Sequence, residues 1–149
     1  SIVEVRLMMT LKEFLNLFVR SAELRLSFEV KEKDAEVHVN FSGEDRPILL
    51  ARSAAILNAL EYLCNRTLGH TEGRIILDSE GYRSVRTEEL QLMAMTAVEN
   101  VKRLGKPFSL SPMSPEERRI VHLAVADDAT IRSESDGRGE NRKVIIHPR

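Results

Sequence analysis

The period of the apolar residues changes along the first third of this chain, and that change limits the folds available to it. Apolar and polar residues alternate from Leu24 to Val30 and again from Ala35 to Phe41, while the intervening 31–34 is polar. Such alternation predicts two strands joined by a hairpin turn. The preceding stretch opens with a Thr10-x-x-Glu13 capping box and has a helical apolar stripe. A helix beside a half-buried hairpin predicts an α+β fold, with helices layered on a small sheet.

The rest of the chain extends this pattern and divides it into two domains. An Ala-rich apolar stretch, 48–69, ends at a glycine and predicts a pair of helices. A strand and turn follow within 73–83, and a long helix runs from about 84 to 104, before Gly105 and Pro107. We predict a first domain over 1–106, with the order helix, strand, strand, helical pair, strand, helix. The second, 107–149, reads as strand, helix, strand, strand.

Composition restricts the functions that these domains can have. The 149 residues carry a net charge of -1, so any nucleic-acid surface is expected to be a local basic patch. A single cysteine fits a reducing, cytoplasmic setting, and no apolar run predicts membrane insertion. Cys64 lies among apolar residues and is expected to be an inert buried thiol. No residue pattern predicts catalytic residues, a metal site or a cofactor, so we do not expect an enzyme.

The most informative local segment is the predicted helix that begins after Ser114. Ser114 can cap the helix, Pro115 suits its first position, and Glu117 completes a Ser-x-x-Glu capping box. At about 100° per residue, one broad side of the helix is apolar; it comprises Ile120, Val121, Leu123, Ala124 and Val125. Arg118, Arg119 and His122 fall on the other side. Because guanidinium groups bind phosphates and stack on bases, and imidazole can do both, this face is a candidate binding surface.

Further cations follow the helix and could complete such a surface. Arg132, Arg138, Arg142 and Lys143 lie in the predicted strands and loop, where Gly137 and Gly139 permit a tight turn. The alternative interpretation is that these charges are solvated or paired with nearby carboxylates such as Glu134 and Asp136.

Two motifs in the second domain resemble the Jag (SpoIIIJ-associated) family of bacterial proteins. They are Arg118 to His122, "RRIVH", and Ser135 to Ile146, "SDGRGENRKVII". Members join a KH domain to a small domain named for its Arg-x-x-x-His signature, the R-3-H domain. In the first domain, "VHVNFSGEDRPILL", "LNALEYLCNR" and "LDSEGYR" are similar to KH segments in type II-like order.

The resemblance implies a ligand, a biological role and a partner. It implies binding of single-stranded RNA or DNA, with Ser135 as part of the site, and post-transcriptional regulation linked to envelope growth, division or sporulation. It also implies pairing with a small KH-domain protein.

One segment departs from the family pattern. KH domains contact phosphates through a Gly-x-x-Gly loop, but Ala51, Arg52, Ser53 and Ala54 occupy those positions here. Because alanine favours helix, we expect the two flanking helices to fuse in part and the loop to bind RNA weakly or not at all. The alternative function is a protein-interaction adaptor, which an exposed apolar patch on the helix after Ala54 would support.

Overall fold

The computed structural model describes residues 9–149 and divides the chain into two compact units. The first ends at Tyr82 and the second begins at Arg83. Both units combine helices with a three-stranded sheet, which confirms the predicted α+β class. The division differs from the predicted boundary between residues 106 and 107.

The first unit has the predicted order of helix, strand, strand, helical pair and strand. Its elements are α1 (Leu11–Ser21), β1 (Ser27–Lys33), β2 (Glu36–Ser42), α2 (Arg46–Glu72) and β3 (Arg74–Asp78). The sheet order is β1-β2-β3, with β1 antiparallel and β3 parallel to β2. The predicted capping box of α1 is present in full at Thr10 and Glu13.

Strand register explains how the first core forms. Phe28 pairs with Phe41 and Val30 with Val39, so the apolar positions of the hairpin share one face. The two phenylalanine rings lie 5.8 Å apart at a tilt of 56°. This face packs in a core that also holds Leu15 of α1. Cys64, on α2, is buried in the same core as predicted, and burial raises the pKa of its thiol to about 11.

The backbone of α2 is broken at 51–54, the segment predicted to be a degenerate KH loop. Ala51 is extended (φ -61°, ψ 149°), and Arg52, Ser53 and Ala54 follow with φ of 54°, 57° and 56°. Three successive residues in the left-handed region cannot belong to a right-handed helix. The expectation that the flanking helices fuse is therefore wrong. Tertiary packing outweighs the helix propensity of alanine here, because Ala54 is 1% exposed in the first core.

The segment Arg46–Gly69 of α2 is long and apolar enough to span a bilayer by length and composition alone. However, the break at 51–54 interrupts its helical hydrogen bonding, which a lipid-exposed span would need throughout. Leu49, Leu57 and Cys64 from this segment are fully buried in the first core. We therefore interpret it as the core helix of a folded domain.

The second unit has a long helix followed by a small antiparallel sheet and one further helix. Its elements are α3 (Tyr82–Leu104), β4 (Phe108–Ser109), α4 (Pro115–Val125), β5 (Ile131–Asp136) and β6 (Lys143–Pro148). The sheet order is β4-β6-β5. A short 3-10 turn, Gly139–Asn141, lies between β5 and β6.

The long helix α3 explains why the units divide before residue 106. Its buried face, which includes Leu90, Ala94 and Val101, packs in one core with Val121 of α4 and Val144 of β6. A strand-helix-strand-strand segment of about forty residues buries too little apolar surface to be stable alone. The helix that we assigned to the first domain therefore supplies part of the core of the second.

Candidate functional site

The start of α4 is fixed by its cap and by a buried ion pair. The Ser114 hydroxyl accepts a hydrogen bond from the backbone N–H of Glu117 at 3.3 Å, and Pro115 occupies the first turn, as predicted. The Glu117 carboxylate is buried and accepts a hydrogen bond of 2.8 Å from Nε of Arg86 on α3. Arg86 therefore balances the Glu117 charge, while Glu116 in the same turn remains exposed.

Arg118 joins α4 to the loop that precedes β6. Its Nε donates to the carbonyl oxygen of Met113 at 3.3 Å. The backbone N–H of Met113 in turn donates to the carbonyl oxygen of Arg142 at 3.2 Å. The bond to Met113 uses only Nε, so the two terminal nitrogens of Arg118 are left available to bind a phosphate.

His122 lies between two serine hydroxyls of β5. Its Nδ1 is 2.7 Å from Oγ of Ser133, and its Nε2 is 2.9 Å from Oγ of Ser135. Burial lowers the pKa of His122 below its ordinary value, and the nearby Arg118 charge lowers it further. We predicted that His122 would bind a ligand directly. Since both ring nitrogens already have partners, a direct hydrogen bond to a phosphate would require one of them to be released.

Arg119 and Leu123 extend the exposed side of α4. They are four residues apart, so they lie close together on the helix surface. Leu123, which we placed on the broad apolar side of the helix, is 62% exposed. At about 100° per residue it lies only about 40° from Arg119, beyond the arc that reaches the core. An exposed guanidinium beside an exposed leucine can stack on a nucleobase.

The loop between β5 and β6 provides two more of the predicted cations. Gly137 has φ of +93°, and a Cβ there would lie 2.9 Å from the carbonyl oxygen of Asn141. Nη1 of Arg142 donates to the Gly137 carbonyl oxygen at 2.7 Å and so closes the loop. Arg138 lies exposed within this loop. In the described part of the chain, no hydrogen bond or ion pair holds the side chains of Arg119 and Arg138.

Two predicted site residues lie on the opposite face of the sheet from His122. Residues of a strand alternate between faces, and Ser133 and Ser135 face α4, so Arg132 faces away. Arg132 pairs with Glu134 at 3.4 Å, as in the alternative of local pairing. Lys143 is the cross-strand partner of Asp136 on that same face. The structure therefore does not bring Arg132 and Lys143 together with the other predicted residues.

Sequence reasoning missed Ser133, which holds Nδ1 of His122. The signal for it was present, because Ile131, Ser133 and Ser135 occupy alternate positions of one strand. Ile131 is buried in the second core, so the two serines had to lie on the same side as the helix.

The loop at 51–54, which we predicted to be a degenerate KH loop, presents a different surface. Ala51 and Arg52 are exposed, whereas the backbone carbonyl of Ser53 accepts a hydrogen bond from Nδ2 of Asn58 at 3.1 Å. The helix that follows has an apolar exposed face: Ile56, Tyr62 and Leu63 are 39%, 67% and 48% exposed, with two exposed alanines among them. The exposed patch that we specified as support for an adaptor is therefore present.

Comparison with known proteins identifies the second unit. Residues 88–148 match the R-3-H domain family, and this range begins within α3. Proteins named RNA-binding protein KhpB are similar to most of the chain. That of Clostridium symbiosum is 37% identical over 81% of this chain. That of Bacillus subtilis is 33% identical over 78% of it. The chain spans 56% and 59% of the length of these two relatives.

Proposed function

Because the chain belongs to the Jag family of bacterial proteins and carries an R-3-H domain over residues 88–148, we propose that its second unit is a non-enzymatic binding module for single-stranded RNA. The observation that carries this proposal is the set of three guanidinium groups, Arg118, Arg119 and Arg138, around the exposed side of α4 and the loop after β5. The relatives named above as RNA-binding proteins support RNA as the ligand. Single-stranded DNA is the alternative ligand that the experiment below compares with it.

The geometry supports recognition of the phosphate backbone. Guanidinium groups hold phosphate oxygens in bidentate pairs and do so without reference to sequence. Three such contacts predict a slope of about -2 for log affinity against log salt concentration on a single strand. Affinity should then fall about 20-fold between 50 and 200 mM salt. The net charge of -1 gives little long-range attraction, so binding depends on this local patch.

The deciding variant is Arg118→Ala/Arg119→Ala. Each substitution removes one charged group that donates to phosphate oxygens, so we expect at least a 20-fold loss in affinity for a labelled, mixed-sequence single-stranded RNA. One of the three contacts remains, so the salt slope should fall to about a third of its wild-type value. The matched control is Arg132→Ala, which removes the same side chain from the opposite face of the same unit and should change affinity by less than about 2-fold. Fluorescence anisotropy at low and moderate salt measures both.

Two results would contradict the proposal. One is wild-type protein that does not bind RNA at micromolar concentration and low salt. The other is an equal loss in the double variant and in Arg132→Ala, because that would mean a diffuse effect of charge. Unlabelled DNA of the same sequence, added as competitor, determines which nucleic acid binds more tightly.

The proposal extends to a cellular role. We infer a cytoplasmic protein that regulates transcripts connected with envelope growth, division or sporulation, on the basis of the family resemblance. Crosslinking in living cells followed by sequencing of the bound RNA tests this role. We expect enrichment of transcripts for envelope functions with the wild-type protein and its loss with Arg118→Ala/Arg119→Ala. Recovery of the same RNAs with the double variant would contradict it.

A second candidate function, that of a protein-interaction adaptor, is favoured by the apolar exposed face of α2. Contiguous exposed apolar side chains on a helix mark partner surfaces. The partner that we propose is a small KH-domain protein. Leu63→Glu places a charge in this face and should abolish co-purification, whereas Arg20→Glu, at an exposed position of α1 and outside this face, should retain it. Equal binding by both variants would contradict the adaptor.

A further inference from the structure

The imidazole of His122 is bound at both nitrogens by hydroxyl groups. A neutral imidazole has one N–H donor and one acceptor nitrogen, while each hydroxyl can donate once and accept twice. With distances of 2.7 Å to Ser133 and 2.9 Å to Ser135, one serine donates to the ring and the other accepts from it. The position of the ring proton therefore decides which hydroxyl hydrogen is left available.

Two tautomers of the neutral ring give both nitrogens a hydrogen-bond partner. They differ in which serine hydroxyl keeps a hydrogen that is not donated to the ring. If Nδ1 carries the proton, the spare hydrogen belongs to Ser133, which is half-buried between β5 and α4 in mid-strand. No other partner holds its side chain in the described part of the chain, so that hydrogen would be left unsatisfied at a cost. If Nε2 carries the proton, the spare hydrogen belongs to Ser135, next to the exposed residues 136–141.

We propose that Ser133 is a positioning residue for His122. Its hydroxyl donates a hydrogen bond to Nδ1 of the ring and thereby holds the ring proton on Nε2. The hydroxyl of Ser135 is then left to donate to a phosphate oxygen of the bound strand. The proposal rests on the proposed function, because its ligand is the same RNA backbone. His122 acts through Ser135 and does not contact the phosphate.

The surroundings of His122 are consistent with a neutral ring. Arg118 lies one turn away on the same helix, and β5 presents only hydroxyls to the ring nitrogens. Burial lowers the pKa of His122, and the Arg118 charge lowers it further, so both favour the neutral ring. A neutral ring keeps an acceptor at Nδ1, which the hydroxyl of Ser133 requires.

The test uses two variants that differ by one hydroxyl. Ser133→Thr keeps the donor to Nδ1, and Ser133→Val removes it while keeping the branched shape that strands favour. Ser109→Val makes the same kind of change at an exposed position on β4 and is the control. Two readouts are taken on the whole chain: nitrogen-15 NMR shifts of the His122 ring without RNA, which report the tautomer, and affinity for the mixed-sequence RNA.

We expect the wild-type and Ser133→Thr proteins to show the proton on Nε2 and to bind within about 2-fold of each other. Ser133→Val should lose this preference and bind about 3- to 10-fold more weakly, the effect of one hydrogen bond. A proton on Nδ1 in the wild-type protein would overturn the proposal, as would Ser133→Val with unchanged affinity. If wild-type protein binds no RNA, the proposed function and the phosphate contact both fail, while the ring shifts still decide the role of Ser133.

Discussion

Each unit contains a loop with residues in the left-handed region of backbone conformation, but the residue types differ between the two loops. In the first unit, Arg52, Ser53 and Ala54 take positive φ. In the second, Gly137 and Gly139 do so. Side chains in this region cost roughly 1–2 kcal/mol per residue, whereas glycine enters it freely. The first loop therefore stores strain, and its Cβ atoms restrict approach to its backbone.

The comparison of the two loops shows that a loop can have left-handed backbone without offering the groups that bind a phosphate. In the first unit, the loop at 51–54 adopts left-handed backbone although alanine, not glycine, stands at both of its ends. The carbonyl of Ser53 is bound by Asn58, and the next turns of the helix are apolar on their exposed face. In the second unit, the glycine loop surrounds an exposed Arg138 and lies next to Ser135. We infer that phosphate binding belongs to the second unit and protein contact to the first.

The largest effect on this comparison should come from Gly137→Ala. The new Cβ would lie 2.9 Å from the Asn141 carbonyl oxygen at φ of +93°, so we expect a loss of about 2–3 kcal/mol in the free energy of unfolding of the second unit. Gly139→Ala is the control, because it has a positive φ but no atom within 4 Å of the new Cβ. It should cost about 1 kcal/mol. Urea unfolding measures both, and equal costs would contradict the proposed clash.

A smaller effect of opposite sign is expected in the first unit. Arg52→Gly removes left-handed strain at an exposed position and should stabilise the protein by about 0.5–1 kcal/mol, with RNA affinity unchanged. Ala51→Gly is the matched control. Its φ is -61°, so glycine there relieves no strain and should destabilise by about 0.5–1 kcal/mol. If both variants shift the urea midpoint in the same direction, the strain assigned to this loop is absent.

The smallest effect concerns acid stability of the second unit. Hydrogen bonds from Lys102 and Thr130 lower the pKa of Asp128 to about 2. A folded-state pKa below the unfolded value stabilises above the unfolded pKa, near 4, and this contribution is lost as pH falls towards 2. Asp128→Asn should therefore flatten the pH dependence of unfolding between about pH 4 and 2. An unchanged profile, measured by circular dichroism, would contradict the assignment.

Local signals predicted much of the fold from the sequence. The capping box at Thr10 and the alternation that pairs Phe28 with Phe41 depend on residues close in the chain or on strand periodicity, and the structure has both. The expected fusion of helices at Ala54 is wrong because propensity is a weak guide where a side chain is buried in a core.

Longer-range pairings in the candidate site were not predictable in the same way. Nothing near Glu117 in the sequence indicates its partner Arg86, which is 31 residues away on another helix. The alternation in β5 could have shown that Arg132 and Ser135 face opposite sides, but not that His122 would meet both serines. The arginine and histidine pattern indicated that these side chains share one side of the helix, and only the fold showed how they are held.

The most direct test of the division between the units is a titration of the isotope-labelled chain with a short, mixed-sequence single-stranded RNA, followed by amide NMR shifts. We expect the shifts at low salt to be concentrated in 118–123 and 135–142, to decrease at higher salt, and to be absent at 51–54. Shifts concentrated at 51–54, with the arginine helix unaffected, would contradict it and assign RNA binding to the KH-like loop.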